Sequence, residues 1–481
     1  MGVYEAVIGL ECHVELSTAT KMFCPCANTF GAEPNTNTCA VCLGHPGTLP
    51  VPNREAIARI IKIGLALGSE IAPHSIFHRK NYFYPDMPKN YQISQYDLPI
   101  CVGGHLDVEL GDGSTTRVGI TRVHMEEDTG KTQHGSASGR IHDATHASID
   151  FNRAGVPLVE CVSEPDIRSP EEAAAYLREL RATLASLDVS DVKMEEGSLR
   201  CDANVSLRPT GAEAFGTKVE IKNMNSIRSL ERALTFEIER QTTALEAGET
   251  IVQETRHWNE DAGATASMRS KEEAFDYRYF PEPDIPALEP DPAWVEEIRS
   301  TIPELPRARR ERYIREYGLP PEVAQVLVAN QSSVELFDGA VDGGADPGMA
   351  ANWVTQDVAA LRNAAAHDGA LTPEHIVEVV ALIADGSVSN AGAKQALEAS
   401  FETGEPIADA VARLGLTQVS DAGALGALAD EVLAENPDVA QKFRDGKEGV
   451  IGFLVGQLMQ KAAGAANPKL AQELLRERLQ G

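Results

Sequence analysis

Four cysteines fall in one short stretch, Cys24-Pro-Cys26 and Cys39-Ala-Val-Cys42, as two close pairs with twelve residues between them. This spacing suits a closed tetrahedral thiolate site, and Zn²⁺ is the ion such a site favours. Just upstream runs Ile8-Gly-Leu-Glu11-Cys-His13-Val-Glu15. On a strand this alternation places Glu11, His13 and Glu15 on one face. The expectation is a structural staple that pins the entrance strand of a second, polar site. C-x-C is a less common spacing than C-x-x-C, and four unrelated free thiols are the plain alternative.

Further acids gather nearby in sequence. His124-Met-Glu126-Glu127-Asp128 places a histidine and three carboxylates within five residues. If the segment is extended, His124, Glu126 and Asp128 face one way and Glu127 the other, so only part of the set can serve one site. Glu160 interrupts the apolar run Pro157-Leu-Val-Glu160-Cys-Val, and Met194-Glu195-Glu196-Gly-Ser-Leu-Arg200-Cys-Asp202-Ala-Asn204 adds a third group. So many carboxylates repel one another unless a cation sits among them. Oxygen ligands favour Mg²⁺, and a histidine in the set widens the choice to Mn²⁺ or Zn²⁺. Taken singly, each acid also suits a solvated surface. Phe77-His-Arg79-Lys80-Asn-Tyr82-Phe-Tyr84 combines cations with aromatics, which suits phosphate contact and stacking. Gly130-Lys131-Thr132 looks like the end of a P-loop, but Met125 stands where its first glycine is required, and no dinucleotide glycine pattern follows a strand. ATP, if used, needs a metal-and-carboxylate site.

These residues need elements to hold them. Residues 1 to about 290 show short alternating stretches, such as Thr116–His124 and Lys218–Lys222, with helical spacing over Glu55–Leu67, Pro170–Leu187 and Ile227–Ala247. That texture predicts one large α+β domain. The proline-rich run Tyr279–Pro292 cannot be a helix and marks its end. The remainder reads as helical, with apolar stripes in Glu374–Asp385 and Asp421–Leu433 and a joint at Gly404–Gly415.

The formal charge of −29 argues against a nucleic-acid partner for the chain as a whole. The distribution qualifies this. Residues 331–440 hold eighteen acids against Arg362, Lys394 and Arg413, whereas 441–481 hold seven bases against four acids. A second basic cluster runs Arg307, Arg309, Arg310, Arg312, Arg315, and an ordinary helix face is the simpler reading of either cluster. Cys12, Cys101, Cys161 and Cys201 are scattered singly, which suggests a reducing cytoplasm. The apolar run Gly449–Met459 is too short to span a bilayer.

Several motifs carry a family resemblance. Val7–Leu16, Arg79-Lys-Asn-Tyr-Phe-Tyr-Pro-Asp86, Tyr91-Gln-Ile-Ser-Gln95, His124–Asp128, Val162–Ser169, Asp191–Asp202, Glu220–Ser226, Asp276–Asp284 and the tail Gly446–Lys461 resemble the GatB family of tRNA-dependent amidotransferase components, in order along essentially the whole chain. The resemblance implies a cradle related to the glutamine synthetase catalytic fold over 1–292, a helical domain over 293–407 and a tRNA-contacting tail over 408–481. It implies ATP-dependent conversion of misacylated Glu-tRNA(Gln), Asp-tRNA(Asn) or both into the amides. An amidase partner would supply ammonia and a small third component would clasp the two in a heterotrimer, with no DNA or membrane partner. The implied metal ligands are His13, Glu127 and Glu160, with Glu11 beside them and Glu126 the weaker of its pair. Lys80 is expected at the ammonia exit or on phosphate. Glu195, Glu196, Asp202 and Asn204 would complete a nucleotide or second-metal site, and the four cysteines hold a structural zinc. A non-catalytic tRNA scaffold is the alternative, and a free-standing ligase on a small molecule is a more distant one. Apart from the resemblance, Gly446, Gly449, Gly452 and Gly456 recur at helical spacing, which allows close backbone approach to another helix or to RNA, with core packing the plainer reading of any one of them.

Overall fold

The computed structural model describes residues 3–135, 145–268, 277–365, 367–418, 422–462 and 466–480. The chain forms two compact units, 1–307 and 308–481.

The first unit is built on a thirteen-stranded sheet. Its strands and those of a small two-stranded ribbon are β1 (Tyr4–Glu15), β2 (Glu70–Ile71), β3 (His78–Asn81), β4 (Tyr91–Ser94), β5 (Cys101–Val102), β6 (His105–Glu109), β7 (Thr115–Glu127), β8 (Lys131–His134), β9 (Ala147–Asp150), β10 (Pro157–Ser163), β11 (Leu199–Pro209), β12 (Val219–Met224), β13 (Glu254–Asn259), β14 (Ala264–Ser267) and β15 (Phe280–Pro281). The main path is β14-β13-β12-β11-β1-β10-β7-β4-β3-β15, with β2, β5 and β6 at the side of β7, while β8 and β9 form the ribbon. Pairings are antiparallel except β12 with β13, which α3 (Ile227–Glu246) connects. This is an α+β architecture, with the glycine and proline turns and short alternating stretches of the sequence becoming its strands.

Alternation gives the sheet two unlike faces. Leu10, Cys12 and Val14 of β1, Val123 and Met125 of β7, Val159 and Cys161 of β10, and Leu199, Cys201, Ala203 and Val205 of β11 enter one apolar core. Ile57, Ile60 and Ile61 of α1 (Arg54–Ala66), Tyr176 and Leu177 of α2 (Pro170–Ser186), and Leu230 and Leu234 of α3 belong to the same core. Each of these helices starts where a side chain can satisfy orphan backbone amides. Asn53 caps α1, Ser169 caps α2 with Pro170 in the first turn, and Ser226 caps α3. Among the three, covered helix faces match the periodicity read from the sequence. The first unit continues to Arg307, past the expected end at 292, because Ile298 of α4 (Pro292–Ser300) joins the core and Trp294, Val295, Ile302 and Leu305 pack against it.

The second unit is helical, from α5 (Pro306–Tyr317) to a last helix at Pro468–Gln480. Its apolar residues form two clusters, Tyr313 to Val411 and Leu425 to Leu479. The expected joint at Gly404–Gly415 is instead a helix, Ile407–Leu414, whose Ile407, Ala410 and Val411 sit in the first cluster. The two glycines are its flanking stops: each is a left-handed C-cap, at φ 70° and 66°. Three of the arginines of α5 are held within the fold, whereas Arg315 is exposed and pairs with its neighbour Glu316 at 2.8 Å. Arg310 donates to Gln325 at 2.6 Å, and Arg312 and Arg309 face Asp338 at 3.3 and 3.8 Å. No helix among the described residues is long and apolar enough to cross a membrane.

Candidate active site and metal centres

The polar face of the sheet carries one continuous row. Register places His124 of β7 opposite Glu160 of β10, Glu160 opposite His13 of β1, and His13 opposite Arg200 of β11. His13, Glu126 and Glu160 each direct a ligand atom to one place, all within 4.8 Å of one another. His13 Nε2 lies 3.6 Å from Glu160 Oε2, and His124 Nε2 lies 3.2 Å from Glu160 Oε2 and 3.5 Å from Glu126 Oε1. Lys80 Nζ stands 3.8 Å from Glu126 Oε1. One imidazole and two carboxylates fit a hard divalent cation with room for water or phosphate oxygens.

The electrostatics follow from burial against pairing. Burial alone would raise Glu126, yet Lys80 and His124 beside it hold its carboxyl well below the usual range. Glu160 is lowered in the same way, against its burial, by His124 and His13. Burial works against a charged His124, but its contacts to Glu126 and Glu160 push it up to about 9. Lys80 is raised despite burial, chiefly by Glu126. Two of the three ligand candidates are therefore ionised and poised for a cation.

Glu127 is not part of this group. It follows the Val123–Met125 side of β7, so it turns toward the apolar face. There its carboxylate pairs with Lys89 and accepts the Ile93 amide at 2.9 Å. The geometry thus reverses the expected order of the pair, and Glu126 is the carboxylate on the site face. It is held there by Ser94 Oγ at 2.9 Å and Gln92 Nε2 at 3.0 Å.

Glu11 is the next residue on the same face of β1 as His13, and Asn204 Nδ2 donates to it at 2.8 Å. Burial and then the charge on Glu160 raise its pKa. Asp202, opposite Glu11 in register, accepts from Lys222 at 2.6 Å, and Lys222 also meets Glu220 at 3.0 Å. Asp202 and Asn204 therefore share the row. Glu195 and Glu196 do not: both lie exposed in the turn before β11, with Glu196 paired to Lys193 at 2.9 Å. A further network, Glu15 with Asp128 and Arg200, ends the row. Arg200 Nη2 is 2.7 Å from Asp128, and burial with Asp128 pushes Glu15 up to about 8.

Three features of the site are not assigned by sequence pattern: Lys89, the Tyr96–Tyr279 stack (ring centroids 4.4 Å apart) and Tyr277, whose ring lies 5.0 Å from Lys80 Nζ. Lys89 and Tyr96 flank the Tyr91–Gln95 motif, and nothing in their spacing announces a partner far along the chain.

The four cysteines form a second centre. Their sulfurs lie within 4.8 Å of one another, with Cys39 and Cys42 Sγ at 3.9 Å. Four thiols at this separation fit a tetrahedral thiophilic dication.

Residues 6–296 match the family model described as the GatB/GatE catalytic domain, and residues 335–479 match the GatB domain model. The chain belongs to the GatB family. It is 52% identical over 479 residues to the B subunit of the aspartyl/glutamyl-tRNA(Asn/Gln) amidotransferase of Moorella thermoacetica, covering 99% of this chain and 100% of the relative. The B subunits of the same enzyme from Carboxydothermus hydrogenoformans (50%, covering 100% and 99%) and Halorhodospira halophila (51%, 99% of both) are similar over the same extent. In this GatB chain, both candidate centres and the whole polar row lie inside the stretch that matches the catalytic model.

Proposed function

We propose that this chain is the component of a glutamine-dependent aminoacyl-tRNA amidotransferase that uses ATP to activate the side-chain carboxyl of glutamate on tRNA(Gln), aspartate on tRNA(Asn), or both. The observation that carries the site assignment is the convergence of His13, Glu126 and Glu160 on one face of three adjacent strands. A carboxylate is a poor electrophile, because its charge repels nucleophiles and oxide is a poor leaving group. Phosphorylation supplies a leaving group, which ammonia displaces. A bound Mg²⁺ would offset charge on the phosphates and on the transition state. His13, Glu126 and Glu160 would hold it, with Glu11 beside them. Lys80, raised and 3.8 Å from Glu126, stays cationic and can steady a phosphate oxygen or the carboxyl being activated. Asp202 and Asn204 would extend the nucleotide side of the row, whereas the position of Glu195 and Glu196 in the outer turn argues for leaving those two out.

The rest of the assembly belongs to the same proposal. Ammonia comes from an amidase partner, clasped by a third small chain, in the cytoplasm. One sheet with helices on its apolar face supports kinship of the cradle with the glutamine synthetase catalytic fold. The tail would bind tRNA. Lys442, Arg444 and Lys447 are exposed, and a side chain at Gly449, Gly452 or Gly456 would meet nothing within 4 Å, so this face is open rather than used in packing.

ATP hydrolysis by the complex, with glutamine and Mg²⁺ and with or without Glu-tRNA(Gln) and Asp-tRNA(Asn), tests the reading. Turnover that requires a misacylated tRNA and yields the amide supports it and identifies the amino acid. Tight tRNA binding without ATP turnover would make the chain a scaffold, and turnover without tRNA would point to a free-standing ligase.

A further inference from the structure

We infer that Lys21 is the counter-charge of the four-cysteine centre, a positioning residue that sets how firmly its thiolates hold their ion. The inference rests on the reading of that centre as a metal site.

Lys21 is 0% exposed, among the largest fully buried side chains of the molecule, between the strand that carries His13 and the first cysteine pair. A buried ammonium is among the costliest groups a fold can enclose, and it persists where a negative partner meets it. Its neighbours in sequence offer none, since Met22 and Phe23 are core residues. Nζ donates to the Phe151 carbonyl at 3.2 Å and reaches Cys42 Sγ at 3.7 Å. Among the described residues it has no carboxylate at ion-pair distance. The Glu127 carboxylate borders the same space, its Oε2 3.8 Å from where a Gly155 side chain would begin, but its Oε1 is held by Lys89 and the Ile93 amide and neither oxygen pairs with Lys21. Sulfur is the partner that remains.

The surroundings fix the ammonium in place. The Lys21 amide donates to Cys26 O at 3.0 Å, and Thr20 bridges Ala27, so Lys21 begins the turn that carries Cys24 and Cys26. Cys42 belongs to the other pair. Its sulfur accepts the Cys39 amide at 3.1 Å as well as the lysine, so two donors converge on one ligand atom. Gly155, at φ 87°, borders the same space: a side chain there would come within 3.5 Å of Cys42 Cβ and 3.6 Å of Lys21 Cδ. Four thiolates around a dication carry two net negative charges in a partly buried lobe. One ammonium against Cys42 halves that excess and ties the two cysteine pairs together. Outer partners of this kind change metal affinity without touching the ion.

The test compares the full-length wild-type chain with Lys21→Met, which keeps length and loses charge, and Lys21→Arg, which keeps charge. Zinc content is measured first, then the rate of zinc transfer to a chromogenic chelator, then thermal unfolding with and without zinc. The inference expects one zinc per wild-type chain, release about 10- to 100-fold faster from Lys21→Met, and a smaller change in Lys21→Arg. It also expects zinc to raise the unfolding midpoint of the wild type more than that of Lys21→Met. Equal release rates in wild type and Lys21→Met would overturn it. A wild-type chain that holds no stoichiometric zinc would remove the metal reading itself, and the inference with it. If Lys21→Met does not fold, Lys21→Gln replaces it against Lys21→Arg, with the same two readings.

Discussion

Glu126 and Glu127 are adjacent, chemically identical and nearly fully buried, so they provide a sharp test of whether the site has been placed correctly. Glu126→Gln removes a charge from the group formed with His13 and Glu160 while keeping the shape and one carbonyl oxygen. A unit charge about 4 Å from a dication is worth roughly 8 kcal/mol gross at an effective dielectric constant of about 20. Returning water and the remaining ligands offset most of that. A net loss of about 2–3 kcal/mol remains, or roughly a 30- to 150-fold weaker metal complex. Glu127→Gln changes charge on the opposite side of the strand, and its effect on the ion should stay within about 1 kcal/mol, roughly fivefold. Its cost appears elsewhere. Lys89 is left buried without its partner, which destabilises the first unit by about 3–5 kcal/mol. Mn²⁺ titration followed by electron paramagnetic resonance reads the affinity, and urea unfolding reads the stability. Equal Mn²⁺ affinity in wild type and Glu126→Gln, or a loss in Glu127→Gln as large as in Glu126→Gln, would refute the placement.

Other consequences can be checked with the same preparations. Lys89→Met should cost about 3–5 kcal/mol in urea unfolding, and the double variant Lys89→Met/Glu127→Leu should recover much of it, because an apolar pair leaves no buried charge unmatched. Gly44→Ala should lose about 1–3 kcal/mol, since Gly44 is at φ 68° and an added Cβ would lie 2.5 Å from Lys89 Cγ and 2.9 Å from Lys89 Cα. Removing 419–481 should weaken tRNA binding measured by filter retention while leaving Mn²⁺ affinity unchanged. Removing 408–481 should in addition lower the unfolding midpoint of what remains, because Ala410 and Val411 are taken from their cluster.

Much of this was legible in the sequence because alternation and helical spacing are local properties. Glu11, His13 and Glu15 share a face for the same reason that Leu10, Cys12 and Val14 share the other. The same rule separates Glu126 from Glu127, but alternation says only that two faces differ. Which face is apolar depends on the helices that cover it, and these lie far away in sequence. Lys89 was unreadable for that reason: its meaning is the carboxylate of Glu127, brought to it by strand pairing. Glu195 and Glu196 sit in an acid-rich motif, yet the motif turns before the strand begins, so only Asp202 and Asn204 reach the row. The Gly404–Gly415 segment shows a different limit. Two glycines eleven residues apart serve equally well as the ends of a loop or as the stops of consecutive helices, and only burial of Ile407 and Val411 decides between them.

β1 lies between β10 and β11, and its two faces are set one residue out of phase. On one side runs His124–Glu160–His13–Arg200; on the other, directly behind it, runs Cys161–Cys12–Cys201. A slip of a single residue would exchange them, burying the charges and exposing the thiols. The strand therefore tolerates substitution far better than insertion or deletion. The length of β1 is thus the quantity in the site least free to change, whereas an insertion at Asp112–Gly113, in the turn between β6 and β7, leaves the phase of β1 untouched.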